Sequence, residues 1–245
     1  MANEEGEYYR VENGALHSNG EGVSPFALGA HNELRGKILA PEFSCVAAKA
    51  AFNTDVYRFG CYGELGLENT TAALSRDLAR FCDDQDALES DYTTFIAVFR
   101  GPMDAGEIAF EAALWHQLRA LHEQDDVAYS DEVSHDPENP HFGFSFAGRA
   151  FFIVGLHPNS TRIARSFTHP ALVFNAHHQF VKLREAGRWE RLQEIIRDRE
   201  LALQGSLNPN LANFGEASEA RQYSGRAVGK LWQAPFPRRA EDLDD

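Results

Sequence analysis

Apolar residues cluster in five stretches that predict β-strands. They are VYRFGCYGELG from Val56, TTFIAVF from Thr93, GFSF from Gly143, RAFFIVGL from Arg149 and ALVF from Ala171. The second stretch is followed by Gly101 and Pro102, which are typical of a strand end. Ala147 and Gly148 separate the third stretch from the fourth, so these two are predicted to form a β-hairpin.

Helical spacing and capping residues predict five helical regions. FALGAHNELRGKIL forms a short helix before Pro41, and an alanine-rich helix follows with Ser44 as its N-cap. A third helix begins at Asn69 or Thr70, and a fourth spans about residues 104–122. The longest region, 177–204, is divided at Gly187 and ends before Gly205, which suits a C-cap.

The order of these elements predicts the domain organisation. Residues 1–24 are polar and predict a flexible N-terminal arm, because they offer little apolar surface for burial. Residues 25–237 are predicted to form a single domain, and residues 238–245 an acidic tail. Strands and helices mix without a regular βαβ rhythm, so the predicted fold class is α+β, with a central, largely antiparallel sheet and several packed helices.

Composition narrows the classes of function. The formal net charge of -14 argues against nucleic-acid binding, which needs clustered Lys and Arg, although an acidic protein attracts cationic small molecules. No apolar run approaches the roughly 20 residues of a membrane span, and the N-terminus does not resemble a signal peptide. A cytoplasmic protein that does not bind membranes is predicted. The 18 Phe suit either dense packing or a core with a large apolar pocket.

Candidate chemistry concentrates in residues 151–180. His157 stands where a predicted strand ends, and a short helix is predicted through Arg162 and Arg165. Haem b requires an axial ligand, an apolar pocket and cations for its propionates. These residues therefore suit a haem site.

Two other interpretations of these residues remain open. His157, His177 and an acid such as Glu216 have the residue types of a His/His/carboxylate metal site. Alternatively, His157 is a hydrogen-bonded core residue and the nearby arginines form surface ion pairs. The common nucleotide, zinc-protease and hydrolase signatures GxGxxG, Walker A, HExxH and GxSxG are absent.

Cys45 falls in the first turn of the alanine-rich helix. A thiol at this position is near the positive end of the helix dipole, which lowers its pKa and favours the thiolate. A small buried apolar residue is the alternative, because free cysteines commonly have that role.

Five motifs together resemble the YqcI/YcgG family: FSCVAAKAAF, GLHPNSTRIARSF, VFNAHHQFVKLR, LALQGSLNP and FGEASEARQYSGR. They are most similar to its branch of haem-dependent N-hydroxylases, which includes the arginine N-hydroxylase of D-cycloserine biosynthesis and the pre-guanitoxin N-hydroxylase. The resemblance covers most of residues 41–236. Ser44 and Ala176 depart from the family, whose members commonly have proline there, and neither change removes a candidate catalytic group.

The resemblance implies an oxidoreductase with haem b, a monooxygenase or peroxygenase that hydroxylates a nitrogen of a small cationic substrate such as an arginine derivative. Glu216 and Glu219 are expected to bind the cationic group. Arg221 and Tyr223 are expected to bind either the carboxylate of the substrate or a haem propionate. Whether oxygen with an electron-transfer partner or peroxide is used, and whether the chain forms a homodimer, stays open.

Two residues compete as the axial ligand. His157 is the first choice, and Cys45 is its rival because a thiolate ligand favours O–O cleavage. His177 and His116 are weaker choices. The alternative functions are a haem-binding sensor or carrier without turnover, and a non-haem iron oxygenase.

Overall fold

The computed structural model describes residues 6–20, 22–88, 90, 92–213 and 215–237. Within these residues, the chain forms a seven-stranded sheet and six α-helices. The strands are β1 (Glu7–Glu12), β2 (Ala15–His17), β3 (Tyr57–Glu64), β4 (Thr94–Gly101), β5 (Phe144–Phe146), β6 (Arg149–Leu156) and β7 (Ala171–Ala176). The helices are α1 (Pro25–Leu39), α2 (Val46–Asn53), α3 (Glu68–Gln85), α4 (Glu107–Glu123), α5 (His178–Glu185) and α6 (Trp189–Gln204).

The strands follow the order β2-β1-β3-β4-β7-β6-β5 across the sheet. Strands β3 and β4 are parallel and are connected through α3, as a parallel pair requires a crossover. The other neighbouring pairs are antiparallel. The predicted α+β class with a largely antiparallel sheet is therefore confirmed.

The N-terminal segment belongs to the sheet, so the predicted flexible arm is wrong for residues 7–17. Strands β1 and β2 form a hairpin, and β1 also pairs with β3. Tyr9 and Val11 are buried, which gives this polar segment the apolar contacts it needs. Asn13 and Gly14 form the turn with φ of 51° and 74°, and Asn-Gly is a strong hairpin signal that the prediction overlooked. The predicted acidic tail lies outside the described residues.

The first four helices differ from the prediction at their N-termini, and α3 begins at Glu68 and α4 at Glu107. Helix α2 has Cys45 as its N-cap instead of Ser44, and Cys45 Sγ accepts a hydrogen bond from the backbone N–H of Ala48 at 3.4 Å. Helix α1 covers the predicted segment and begins one residue earlier, at Pro25. Ser24 caps it and Pro25 occupies the first turn, where a missing N–H costs little.

Three turn predictions are confirmed. Gly187, with φ of 62°, separates α5 from α6, and Gly205, with φ of 76°, is the left-handed C-cap of α6. Ala147 and Gly148 connect β5 to β6 with φ of 50° and 71°. A side chain is strained at positive φ, whereas glycine is not, so these glycines fix where the elements end.

The sheet separates two apolar layers. We call the side covered by α3 and α4 the α4 face, and the side covered by α1 and α2 the α2 face. Because side chains alternate along a strand, Ile153 of β6 packs on the α4 face and its neighbour Val154 on the α2 face. This alternation decides which candidate residues meet.

Candidate functional site

A cavity of about 290 Å³ lies on the α2 face and is called the first cavity. Its walls are mainly apolar and come from α1, α2, β4, β6, β7, α5 and α6. The alanine-rich sequence of α2 contributes Ala47, Ala48 and Ala51, whose small side chains leave space. The polar residues that line it include Ser44, Cys45, Arg162, Arg165, Asn175, Gln179, Glu200 and Asn208. Large apolar cavities with a few polar groups are typical ligand sites.

Cys45 lines this cavity at the N-terminus of α2. Burial raises the pKa of its thiol, and hydrogen bonds from the backbone N–H groups of Ala48 and Ala47 offset only part of that rise. The expectation that the helix dipole favours the thiolate is therefore wrong for the ligand-free protein, since desolvation of the charge outweighs the helix terminus.

Arg162 is held at the cavity wall by a buried ion pair. Its Nη2 donates to Glu200 Oε1, and both residues are at most 9% exposed. Glu200 Oε2 accepts a hydrogen bond from the Ser44 hydroxyl at 3.0 Å. Arg162 also donates to the hydroxyl and the carbonyl oxygen of Ser206. The ion pair connects α6 to the segment after β6, and the hydrogen bond from Ser44 connects α6 to the segment before α2. Together these contacts shape this end of the cavity.

Arg165 presents a different environment at the same cavity. Its guanidinium donates to the backbone carbonyl oxygens of Gly155, Gln222 and Tyr223 at 3.1–3.2 Å. Burial lowers its pKa to about 10, although Glu200 and Cys45 raise it. None of its hydrogen-bond partners is a carboxylate, so an anionic ligand would find a positive charge that these contacts do not neutralise.

His157 does not line the first cavity. Its ring is 1% exposed and stacks on Phe110 of α4 at 4.3 Å between ring centres, so it belongs to the α4 face. Burial lowers its pKa, and the charge of Glu107 offsets part of that effect. The preference for His157 over Cys45 as the ligand in this cavity is therefore not supported by the geometry. His157 lies on the α4 face, whereas Cys45 caps α2 on the other side of the sheet.

A second cavity of about 170 Å³ adjoins the first. The two share Phe152, Phe180, Trp189, Ile196, Leu211 and Gln222 as wall residues. His177 and Glu219 line the second cavity, with 3.7 Å between His177 Nε2 and Glu219 Oε2. The Tyr223 hydroxyl lies 2.7 Å from Glu219 Oε1 and donates to it. Burial raises the pKa of Glu219, while His177, Tyr223 and Arg184 lower it in part.

The other predicted substrate residues are dispersed. Glu216 is exposed, accepts hydrogen bonds from Asn213 and lines neither cavity, so the expected pair with Glu219 is not formed. Arg221 donates to the carbonyl oxygens of Trp232 and Gly229, which fixes the C-terminal segment. Tyr223 is fully buried among the aromatic residues of the α4 face.

The structure does not support two weaker expectations, His116 as a ligand and a metal site formed by two histidines and a carboxylate. His116 is exposed on α4 and lines neither cavity. His157, His177 and Glu216 do not converge, and no group of three or more metal-ligating side chains occurs among the residues that the structure describes.

In the described helices, no segment is long and apolar enough to cross a bilayer.

Sequence reasoning missed Glu200, the acidic residue of the first cavity. It follows Leu192 and Ile196 at intervals of four, and all three line the cavity. A carboxylate in the apolar stripe of a helix is a detectable signal, because burying it requires a partner. That partner is Arg162, more than thirty positions away in the sequence.

The chain belongs to the YqcI/YcgG family, whose profile matches residues 34–237. It is 29% identical over 196 residues to the uncharacterized protein YcgG of Bacillus subtilis (strain 168), an alignment that covers 75% of this chain and 76% of that relative. It is 25% identical over 228 residues to the uncharacterized protein YqcI of the same strain, with 88% and 89% covered. No solved structure matches the chain significantly. The family predicted from the motifs is confirmed.

Proposed function

We propose that this member of the YqcI/YcgG family binds haem b in the first cavity and hydroxylates a nitrogen of a guanidinium or amino compound. The observation that carries the proposal is the presence of Cys45, Arg162 and Arg165 around one apolar cavity. The sequence motifs that resemble the haem-dependent N-hydroxylase branch support the same function. Oxygen with an electron donor and peroxide are both compatible with it.

The residues around the cavity fit the chemical requirements of haem. A soft sulfur ligand suits iron, and coordination deprotonates a thiol, so the raised pKa of free Cys45 does not oppose binding. Arg165 offers its charge to a propionate because its present partners are neutral carbonyls. Arg162 Nε and Gln179 Nε2 are buried without hydrogen-bond partners within the described residues, so the cavity also has unused donors. Cys45 is therefore the residue that would hold the haem iron, in preference to His157.

Haem bound through a thiolate would supply oxygen activation, since the ligand pushes electron density towards the iron and favours O–O cleavage. The protein contributes an environment for that chemistry. Its apolar walls exclude water, and the ion pair of Arg162 with Glu200 holds α6 against the cavity. A water-poor site strengthens the electrostatic interactions that orient a charged substrate.

Visible spectroscopy on the purified protein tests the cofactor and its ligand. After reconstitution with haem, we expect a Soret band and a strongly red-shifted ferrous carbonyl band. Cys45→Ala should lose the red shift, whereas Cys82→Ala and His157→Gln should retain it. No Soret band would overturn the haem proposal, and loss of the ligand signature in His157→Gln instead of Cys45→Ala would overturn the assignment to Cys45.

Turnover separates the enzyme from a haem-binding sensor or carrier. The haem-loaded protein is incubated with a panel of guanidinium and amino compounds, together with peroxide or with oxygen and a reductant. Mass spectrometry should detect a product that has gained one oxygen atom on nitrogen. Stable haem binding without any such product would favour the sensor or carrier.

A further inference from the structure

N-hydroxylation of a cationic substrate poses a proton problem. An ammonium nitrogen, and a guanidinium whose electrons are delocalised over the cation, lack an available lone pair at the reacting nitrogen. A base must therefore take a proton before or during oxygen insertion, and such a base needs to reach the substrate. The one carboxylate among the described residues that line the first cavity, Glu200, is already paired with Arg162.

The second cavity contains a carboxylate suited to that task. The side chain of Glu219 is 16% exposed and borders the cavity. Its Oε1 accepts the hydrogen bond from Tyr223, which fixes the carboxylate, while Oε2 lies 3.7 Å from His177 Nε2, beyond hydrogen-bond distance. One oxygen is thus anchored, and the residue borders a cavity that shares wall residues with the proposed haem site.

We propose that the second cavity binds the substrate nitrogen, that Glu219 is the base that takes its proton, and that His177 is a positioning residue for this carboxylate. This inference rests on the proposed function. The proton moves from the substrate nitrogen to Glu219 Oε2, and the electrons of the broken N–H bond remain on nitrogen as its lone pair. Nothing is oxidised or reduced in this step.

The charges around Glu219 suit the role. Burial raises its pKa above the ordinary value of a glutamate, which makes it a stronger base than an exposed carboxylate. The charged and titratable groups that face it are His177, Tyr223 and Arg184. His177, whose Nε2 lies 3.7 Å from Glu219 Oε2, offsets part of that rise in the pKa of Glu219.

Two arginines restrict the kind of substrate. Arg184 and Arg197 line the same cavity, so its lining is not purely acidic. A ligand with a cation alone would meet one carboxylate and two guanidinium groups, whereas a ligand that also carries a carboxylate would have complementary partners for both ends. Phe180 and Trp189 add aromatic walls, which attract a guanidinium. We infer that the substrate carries a cationic nitrogen group and an anionic group.

Binding of three probes to the haem-free protein tests this site independently of the cofactor. Calorimetry compares γ-guanidinobutyrate with γ-ureidobutyrate, which lacks the cation, and with butylguanidinium, which lacks the carboxylate. We expect γ-guanidinobutyrate to bind at least about tenfold more tightly than either, since a charge-assisted hydrogen bond contributes about 1.5–3 kcal/mol. Equal binding of γ-ureidobutyrate would overturn the role of Glu219 as the cation partner.

Matched variants locate the site. Glu219→Gln should weaken the binding of γ-guanidinobutyrate by at least about tenfold. Glu216→Gln changes an exposed residue that lines neither cavity, and should leave this affinity unchanged. Ala217→Leu narrows the second cavity without touching the first, and should also weaken binding. Ala217→Leu decides the question if Glu219→Gln does not fold. Unchanged binding in Ala217→Leu would overturn the location.

Turnover distinguishes the base from a mere contact. In Glu219→Gln, we expect an unaltered Soret band and loss of N-hydroxylation, with partial recovery as the pH approaches the pKa of the substrate nitrogen. His177→Gln should shift the pH profile of kcat without losing the Soret band. Retention of the parental pH profile in both variants would overturn the inference. Absence of the Soret band from the parent protein would instead overturn the proposed function.

Discussion

The two faces of the sheet differ in how completely they are filled. On the α4 face, Trp115 packs on Tyr223 at 5.6 Å and on Phe236 at 6.0 Å between ring centres, and His157 packs on Phe110. On the α2 face, the alanines of α2 meet the same sheet and leave a cavity of about 290 Å³. Both faces are apolar, so hydrophobicity alone does not distinguish a packed core from a binding site. The size of the covering side chains does.

Truncating a tryptophan on each face should give the largest contrast in stability. Trp115→Ala is expected to cost about 3–5 kcal/mol, because the ring is fully buried in a close-packed layer. Trp189→Ala should cost less than about 2 kcal/mol, since the ring already borders both cavities. Urea unfolding followed by circular dichroism measures both. Similar losses would mean that the α2 face is as tightly packed as the α4 face.

Two buried histidines, His31 and His157, should make the folded protein less stable in acid, because burial disfavours their protonated forms. His31 packs on Tyr57 and Phe59 on the α2 face, and burial, together with Arg35, lowers its pKa to about 4, although Asp55 opposes this. Its unfolded pKa is about 6.5, so its contribution to stability is present above pH 6.5 and is lost as the pH falls towards about 4, by up to about 3 kcal/mol. His157 should act in the same direction.

Comparison of variants isolates the effect of His31. Unfolding free energies of the haem-free protein are measured between pH 7 and pH 4 for the parent, His31→Gln and His17→Gln. We expect His31→Gln to reduce the acid-dependent loss, whereas replacement of the exposed His17 should leave it unchanged. A pH dependence of His31→Gln identical to that of the parent would contradict the neutral, buried state of His31.

Neighbouring positions on β6 allow a direct test of the two faces. Ile153→Phe should destabilise by about 1–3 kcal/mol, because it adds volume to the filled α4 face. Val154→Phe should cost less than about 1 kcal/mol and should reduce haem binding, because it projects into the first cavity. Urea unfolding and haem titration give the two readouts. The opposite order of stability would reverse the assignment of the faces.

The smallest expected difference between the two faces is in the rate at which their cysteines react with a thiol reagent. Cys45 borders the first cavity, whereas Cys82 is buried on the α4 face with a pKa raised to about 12. In the folded haem-free protein, iodoacetamide should label Cys45 before Cys82. The rate at Cys45 should be lower than that of an exposed cysteine at pH 7 and should rise with pH, because burial raises its pKa and the thiolate is the nucleophile.

Mass spectrometry of peptides after timed labelling assigns the rates to each cysteine. Cys61, which is 2% exposed, is the second buried control and should remain unlabelled until the protein unfolds. A rate at Cys45 that is already maximal at pH 7 would indicate a stable thiolate and would contradict the effect of burial.

Local sequence predicted most of the elements and little of the site. Strands β3 to β7 and the division of the last helical region at Gly187 were predicted, because periodicity and turn residues act over a few positions. Strands β1 and β2 were not predicted, because the polar composition of this segment masks the hairpin signal of the Asn13–Gly14 turn. Of the predicted acid pair, Glu219 borders a cavity, and Glu216 does not.

The sequence by itself determined the family, the α+β class and the residue types available for chemistry, since motifs and periodicity are properties of the chain alone. Only the tertiary structure decided which of these residues meet. Ser44 and Glu200 form a hydrogen bond across 156 positions, and Cys45 shares a cavity with Arg165 while His157 packs against α4. The physical reason is that alternation along a strand defines two faces, but the helices that cover each face come from distant parts of the chain.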